Sequence, residues 1–403
     1  MMRLSQLLLL TIAVVTVSSF AVQGQTEVDE RASIRFEEGV GFHAPDTTFG
    51  VNLRFRMQNR VGFSTFSERD LGIEEVDARI RRLRLRLDGY TKNQKLTYYL
   101  QLSFSRSDQD WDNSGVPNVI RDAMVYYNYS QNFYIGFGQG KLPGNRQRII
   151  SSGEQQFTDR SMVNGIFNVD RDFGIMAYYS NNLGFLDFNL KGAISSGEGR
   201  NALASDNGLA YTGRVELMPF GRFTNNGDFS EGDQVHEPSP KLSLAGGYSY
   251  NHKAQRASGQ RGSFLFEARD LELLFIDAVF KYNGWAVYSE YMNRHTSNPI
   301  TLSANPEDKP VYVYTGYGFL TQASYYFKNK IELGVRYSFV NPTSAISSLE
   351  TRTDEYVFGV TKYLYKHRVK LQSNLIYQQK EIFSPLSGTK DRWIFHFQVE
   401  LGI

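Results

Sequence analysis

Hydrophobic and polar residues alternate one by one along much of this 403-residue chain. The alternation is clearest over 51–57, 83–87, 96–102 and 331–337. Successive side chains of a β-strand point to opposite faces, so this pattern gives each strand one apolar and one polar face. No convincing segment with the helical period of about 3.6 residues follows residue 24. The pattern therefore predicts an all-β protein.

The alternating segments divide into sixteen strands, most of them ten residues or longer. That length is unusual in a soluble sandwich but suits a tilted strand that crosses a bilayer. The predicted strands are 49–62, 76–90, 94–106, 120–130, 132–142, 171–180, 184–196, 209–219, 240–253, 270–282, 285–295, 312–327, 331–340, 354–365, 368–380 and 391–403.

The gaps between these strands alternate between long and short. The long gaps are 63–75, 107–119, 143–170, 197–208, 254–269, 296–311, 341–353 and 381–390. The other gaps have three residues or fewer, except for 220–239. Short turns at one rim and long loops at the other are typical of an antiparallel up-and-down transmembrane β-barrel, whose closure leaves no sheet edge in lipid. We therefore expect residues 49–403 to form a single barrel of about sixteen strands.

Aromatic residues and the chain ends point to the bacterial outer membrane. The last strand carries alternating aromatic and aliphatic residues up to Ile403, and tyrosine pairs suit the interfacial girdles of a barrel. A large soluble β-sandwich, the alternative, would expose these aromatic rows to water.

Residues 1–24 have the basic start, apolar centre and small-residue end of a signal peptide. Residues 25–48 would then form a short N-terminal periplasmic segment.

Strand parity predicts which side chains face the lumen. In a barrel the apolar face meets lipid, so Arg54, Arg56 and Arg60 of the first strand should point inward. The second strand adds three more inward arginines, Arg82, Arg84 and Arg86. Guanidinium groups stay charged and offer paired donors that suit anions such as phosphate. Two interpretations remain open: an anion path, or a structural wall neutralised by the nearby acids Asp88, Asp122 and Glu400.

The third long gap, 143–170, has the length to fold into the lumen and narrow it. Four of its charged residues are candidates for the constriction: Arg146, Arg148, Glu154 and Asp159. Just before the gap, Gly136, Gly138 and Gly140 share one parity. Their missing side chains would leave room for the loop, although such glycines also relax barrel curvature.

Several ordered motifs between about residues 50 and 200 resemble the phosphate-selective porin O and P family. They are RLRLRLDG at 82–89, IRDAMVY at 120–126, FGQGKLP at 137–143, Glu154, FTDRS at 157–161 and DRDFG at 170–174. The resemblance implies a sixteen-stranded barrel, often trimeric, with basic residues along an anion pore. It also implies that Lys141, Arg160 and Arg171, which match the basic positions of the motifs, belong to the anion pathway.

The leading functional hypothesis is thus a passive channel for phosphate, polyphosphate or other small anions. A weakly selective porin for other solutes is the second. An outer-membrane hydrolase is the third, but it would need a histidine beside a nucleophile, and only His396 lies in mid-strand at inward parity.

The chain has no cysteine and no paired histidines, and it carries no P-loop. We expect no cofactor or metal and no nucleic-acid partner. The expected partners are membrane lipid, small anions and two further copies of the chain.

Overall fold

The computed structural model describes residues 33–35, 39–45, 48–92, 94–106, 119–202, 208–381 and 391–403. The predicted signal peptide, 1–24, lies outside these residues, and the segment 25–48 is described only in part. In the described part of the chain, no helix has both the length and the apolar character needed to cross a membrane.

Strands make up most of the regular structure in the described ranges. In chain order they are β1 (Ser33–Arg35), β2 (Val40–His43), β3 (Phe49–Thr65), β4 (Ile73–Thr91), β5 (Leu96–Ser103), β6 (Ile120–Asn128), β7 (Phe133–Lys141), β8 (Arg171–Leu183), β9 (Leu186–Ser195), β10 (Ala210–Met218), β11 (Lys241–Arg256), β12 (Phe264–Tyr282), β13 (Trp285–His295), β14 (Ile300–Thr301), β15 (Val311–Tyr312), β16 (Gly316–Tyr326), β17 (Ile331–Pro342), β18 (Thr353–Tyr365), β19 (Val369–Lys380) and β20 (Arg392–Gly402). The helices are α1 (Arg146–Ile149), α2 (Met162–Phe167) and two 3-10 turns, Thr224–Phe229 and Ser344–Ile346.

Sixteen of these strands, β3–β13 and β16–β20, form one closed antiparallel barrel. Each pairs with the next along the chain, and β20 closes the barrel by pairing with β3 from Ile394↔Ser64 to Gly402↔Arg56. The backbone N–H of Ile403 donates to the carbonyl of Phe55 at 3.0 Å, so pairing continues to the last residue. The predicted fold class and strand number are confirmed.

Four short strands were not expected from the alternation. Strands β14 and β15 form a separate hairpin in the loop between β13 and β16. Strand β2 pairs with β3 at Val40↔Leu53, on the edge that β20 also uses, so it extends the wall beyond the end of the chain. Strand β1 pairs in turn with β2. Part of the N-terminal segment is therefore joined to the short-turn rim of the barrel.

The barrel has an apolar outer face and a polar inner face. On β3, Val61 and Phe63 are exposed, whereas Gln58 and Ser64 of the opposite parity are buried. This distribution is the inverse of that in soluble proteins, whose apolar side chains are buried. It arises because lipid surrounds the outside of the barrel and polar groups fill the lumen. A shift of one residue in register would reverse every side chain.

Two segments fold into the barrel from opposite rims. Residues 142–170, here called the inner loop, connect β7 to β8 on the long-loop side. Residues 219–240, here called the inner turn, connect β10 to β11 on the short-turn side. They meet where the backbone N–H of Glu231 donates to the carbonyl of Glu154 at 2.8 Å. The Glu231 carboxylate also accepts from the N–H of Gln156 at 3.0 Å.

Aromatic side chains of the inner loop fit against glycines of the barrel wall. Phe157 is 1% exposed and lies over Gly359 and Gly334, which pair with each other on β17 and β18. A Cβ atom on Gly359 would lie 2.7 Å from the Phe157 ring. Further along, Phe167 of α2 lies against Gly318, where a Cβ would be 3.0 Å from the ring. Missing side chains on the far wall therefore make room for the loop.

The glycines that precede the loop have a different use from the one the sequence predicts. The side chains of Met124 and Tyr126, on the neighbouring strand, cover Gly136 and Gly140. Gly138 has a φ of 129°, a conformation that side chains rarely allow. The expectation that these three glycines accommodate the loop is wrong, because residues of β6 fill the space beside them.

Candidate functional site: a basic cavity beside the inner loop

A cavity of about 820 Å³ lies between the inner loop and the inner faces of β3–β8. Fourteen of its lining residues are basic and six are acidic. The basic residues are Arg54, Arg56, Arg81, Arg82, Arg84, Arg86, Arg121, Lys141, Arg148, Arg160, Arg171, Arg200, Arg261 and Arg368. The acidic residues are Asp122, Glu154, Asp159, Asp170, Glu355 and Glu400.

Strand pairing brings the two predicted arginine rows together. Arg54 pairs with Arg86, and Arg56 pairs with Arg84, across the β3–β4 ladder. A β-bulge then interrupts the register, because Gln58 pairs with Arg82 and the next residue pairs with Ile80. The extra residue, Arg81, also lines the cavity. Two adjacent arginines at 81–82, which break the alternation, are the sequence signal for this bulge.

Several of these cations are neutralised by carboxylates. Asp88 lies 3.3 Å from Arg54 Nε and 2.8 Å from Arg86 Nε. Arg171 Nε donates to Asp122 Oδ1 at 2.8 Å. These pairs correspond to the salt-bridged wall interpretation. They hold the arginine rows in place and reduce the charge at each end of the cavity.

Two further cations of the lining, Lys141 and Arg160, have carbonyl partners instead. Lys141 Nζ donates to the carbonyl of Ile149 at 2.6 Å. Arg160 donates to the carbonyls of Gln147 and Ile150 at 2.6 and 2.7 Å. Within the described residues, no carboxylate forms an ion pair with either side chain. A carbonyl satisfies the N–H donors but does not cancel the charge, so this pair is a focus of positive potential.

The pKa of Arg160 reflects this crowding. Burial lowers it well below its ordinary value, and the charges of Arg148 and Arg84 lower it further. Like charges this close are costly unless an anion or solvent compensates them.

The tip of the inner loop approaches the arginine rows closely. The Ser152 hydroxyl accepts from Arg56 Nη2 at 2.7 Å and from Arg84 Nη1 at 2.9 Å. At the next position, Gly153, a Cβ atom would lie 2.2 Å from Arg56 Nη1. Small residues at 151–153 thus let the loop backbone reach the wall and border the cavity with hydroxyl groups.

Eleven of the thirteen residues proposed from the sequence line this cavity: Arg54, Arg56, Arg82, Arg84, Arg86, Lys141, Arg148, Glu154, Asp159, Arg160 and Arg171. Arg60 and Arg146 are the two that do not. Arg60 Nη1 lies 2.5 Å from Asp159, and the residue is 3% exposed. Arg146 is 0% exposed and lies 2.5 Å from Asp277 on β12. Both tie the inner loop to the wall, since a buried charge requires a partner.

The other charged residues of the loop also have defined partners. Arg148 Nε donates to Asp170 Oδ1 at 2.8 Å, and both residues line the cavity. Glu154 lies 3.4 Å from His367 Nε2 of the turn between β18 and β19. Burial alone would raise the pKa of Asp159, but Arg81 and Arg60 outweigh it and hold that pKa well below its ordinary range. Asp159 therefore stays ionised and fixes the loop tip.

The inner turn supplies partners that sequence reasoning missed. The carbonyl and carboxylate of Asp228 accept from Arg146 Nη1 at 3.0 and 3.5 Å. Lys281 on β12 donates to the carbonyls of Gly227 and Ser230 at 2.7 and 3.0 Å. The unusual length of 220–239 at the short-turn rim was the only available signal. Alternation gives no information about where such a segment goes.

Four further basic residues of the cavity come from places that parity does not single out: Arg121, Arg200, Arg261 and Arg368. Arg121 is the extra residue of a bulge between β5 and β6. Arg261 belongs to the loop between β11 and β12, and it lies 3.4 Å from Asp170. The fold brings these four residues to one cavity, although they are far apart in sequence.

The hydrolase hypothesis depends on His396. His396 Nδ1 lies 3.3 Å from the Thr158 hydroxyl of the inner loop, in a contact that holds the loop. Among the described residues, no group of three or more His, Asp or Glu side chains is arranged to bind a metal ion. The lining of the cavity is dominated by basic side chains.

Known structures share this architecture. An anion-selective porin from Comamonas acidovorans superposes with a TM-score of 0.54 at 13% identity, over 88% of this chain and 100% of that one. The outer membrane channel DcaP of Acinetobacter baumannii gives 0.53 at 12% identity, over 90% and 100%. OmpT of Vibrio cholerae in its trimer form gives 0.52 at 12% identity, over 88% and 100%. At these identities the likeness concerns the fold alone.

Sequence comparison identifies the family. No curated protein sequence is significantly similar to this chain. In contrast, the family model for phosphate-selective porin O and P matches residues 51–381, which include the arginine rows, the inner loop and most of the barrel. The chain therefore belongs to the phosphate-selective porin O and P family, and it is a channel protein of the bacterial outer membrane.

Proposed function

We propose that this porin carries small anions, phosphate or polyphosphate among them, through the basic cavity. The observation that supports this most strongly is the excess of fourteen basic over six acidic residues in the lining. The whole chain has a formal net charge of only +2, so the excess is local. Distant charges are screened over about 8 Å in physiological salt, whereas charges around a narrow lumen act directly on a permeant ion.

The proposed mechanism is passage along a series of weak sites. The arginine rows of β3 and β4 would replace part of the hydration shell of an anion, and Lys141 and Arg160 would hold it at the narrowest part. Conduction requires that each site bind weakly enough to release the ion. The carboxylates beside Arg54, Arg86 and Arg171 serve this purpose by moderating the charge.

The family name and one structural neighbour, an anion-selective porin, support the same proposal. The alternative is a weakly selective porin for other solutes, which the ion pairs of Asp88 and Asp122 favour. We also propose that the chain assembles as a homotrimer in outer-membrane lipid, because one structural neighbour is described in a trimer form. Residues 1–24 would be removed as a signal peptide, and residues 25–48 would lie on the periplasmic side.

Replacing Arg82, Arg84 and Arg86 together with Gln tests the anion path. The triple variant keeps polar side chains at these positions but shortens them and removes three charges from the lining. We expect the reversal potential of the refolded protein in a KCl gradient to move toward the cation side. Added phosphate should also reduce chloride current less than in the wild type.

Arg69→Gln is the matched control, because the Arg69 side chain is 92% exposed in an outer loop. It should leave the reversal potential unchanged. If the triple variant keeps the ion preference of the wild type, the arginines are structural and the general porin is the better interpretation.

A further inference from the structure

One wall of the basic cavity is aromatic. Tyr99 of β5, Met124 and Tyr126 of β6 and Tyr178 of β8 line it together with the arginine rows. The Arg86 guanidinium lies 4.4 Å from the centre of the Tyr99 ring. The rings of Tyr126 and Tyr178 are 6.5 Å apart in an edge-to-face arrangement. A passing anion thus meets cations on β3 and β4 and ring surfaces on β5–β8.

Neighbouring residues hold these rings in place. Tyr178 stacks on Tyr134 of the adjacent strand, with centroids 4.6 Å apart and planes 12° apart. Tyr126 covers Gly136, where a Cβ atom would lie 2.7 Å from the ring. Met162 of the inner loop lines the cavity from the opposite side. The apolar surface is therefore a fixed part of the passage.

An inorganic anion gains nothing from such a surface. Phosphate and chloride carry no apolar area, and rings exposed in a water-filled lumen displace water that would solvate these ions. An anion with a planar apolar body would instead bury that body against the tyrosines while its acidic group contacts the arginines. Aromatic contacts of this kind contribute a modest attraction, weak enough to permit release.

We propose that the pore prefers small organic anions that join one acidic group to an aromatic ring, such as aryl carboxylates and aryl phosphates. The proposal rests on the anion pathway proposed above and names the permeant class that its second wall selects. Tyr99, Tyr126 and Tyr178 would determine specificity, whereas the arginines would supply the preference for negative charge.

Permeability ratios in planar bilayers test this proposal with two probes of equal charge, benzoate and acetate. Benzoate diffuses more slowly in water, so a pore without preference passes it less readily. We expect the wild type to show a benzoate-to-acetate ratio above the ratio of free diffusion. Tyr126→Ala combined with Tyr178→Ala should lower it about three- to tenfold, the range of a typical aromatic contact.

Tyr127→Ala is the matched control, because Tyr127 is the next residue on β6 and is 47% exposed on the outer face. It should keep the wild-type ratio. A wild-type benzoate-to-acetate ratio at or below the ratio of free diffusion would overturn the proposal, even if the double variant failed to fold. A folded double variant whose ratio equals that of the wild type would overturn it as well. Failure of the anion path itself would appear separately, as a KCl reversal potential without anion preference in the wild type.

Discussion

Individual cations in the cavity differ in how far their charge is neutralised. Arg54 and Arg86 share Asp88, and Arg171 has Asp122. Lys141 and Arg160 instead bind backbone carbonyls. Hydrogen bonding and charge compensation are thus separated at these two side chains, whose donors are satisfied although no carboxylate of the described residues forms an ion pair with them. Titration of the acidic residues that line the same cavity should therefore alter ion preference.

Acidification should increase the anion preference through Glu154. Burial raises the pKa of Glu154 above its ordinary value, so this carboxylate gains a proton at a higher pH than an exposed glutamate does. Burial lowers the pKa of the neighbouring His367, so this imidazole stays neutral more readily than an exposed one. Acidification from neutral pH therefore removes one negative charge from the cavity lining, close to Arg56 and Lys370. Reversal potentials in KCl gradients should move toward the chloride side.

Glu154→Gln resembles the protonated form at every pH. It should show a stronger anion preference than the wild type at pH 7 and a smaller change on acidification. Other carboxylates titrate in both proteins, so the difference between the two profiles isolates Glu154. Profiles that superimpose would contradict its proposed role.

Among the structural elements, the inner loop has the largest influence on the passage. Arg60, Arg81 and Arg336 hold its tip at 158–159 from three strands of the wall. Arg146 holds its start against β11 and β12. Phe157 fills the space above two glycines. Ionic contacts thus fix where the loop lies, and the packing of one ring removes the gap between loop and wall.

Phe157→Ala should loosen the loop and widen the passage. Removing a buried phenyl ring costs about 3–5 kcal/mol of packing. The closed ladder of sixteen strands does not depend on this ring, so the barrel should persist. We expect a larger single-channel conductance with more open-channel noise, and an unchanged strand content by circular dichroism.

Phe358→Ala provides the comparison, because Phe358 is adjacent to Gly359 but is 48% exposed on the outer face. Its conductance should match the wild type. Equal conductance in the Phe157 variant would mean that polar contacts alone position the loop.

At the scale of the whole molecule, the barrel places an apolar outer surface around a lumen occupied from both rims. The inner loop and the inner turn meet inside and contact the walls formed by β11–β13 and β17–β20. The basic cavity lies beside β3–β8. The arginines of β3 and β4 therefore supply much of the charge that lines the cavity.

Assembly is the corresponding prediction. In mild detergent, the refolded mature protein should have the mass of three chains by light scattering corrected for bound detergent. Heating in SDS should convert it to a species that migrates as a single chain. A mass of one chain across the accessible range of protein concentration would contradict the proposed trimer.

The sequence alone determined the barrel, its sixteen strands and the inward parity of the arginine rows. Strand periodicity is a local property that can be read directly from the sequence. A closed barrel is then one of the few folds that satisfy every backbone hydrogen bond of such strands in lipid. Strand ends differed from the predicted ones by a few residues, the largest extension being at the start of β12. The membership of Lys141, Arg160 and Arg171 in one cavity came from motif resemblance, which carries information about distant contacts that alternation lacks.

Only the tertiary structure decided which of the charges face the passage. Arg60 and Arg146 have the residue type and the position expected of pathway residues, yet carboxylates of distant elements bury them. The inner turn, the bulge residue Arg81 and the glycines beneath Phe157 likewise depend on pairings between segments far apart in the chain. The physical reason is that a buried charge takes its state from its neighbours, and these are fixed only when the barrel closes around the loop.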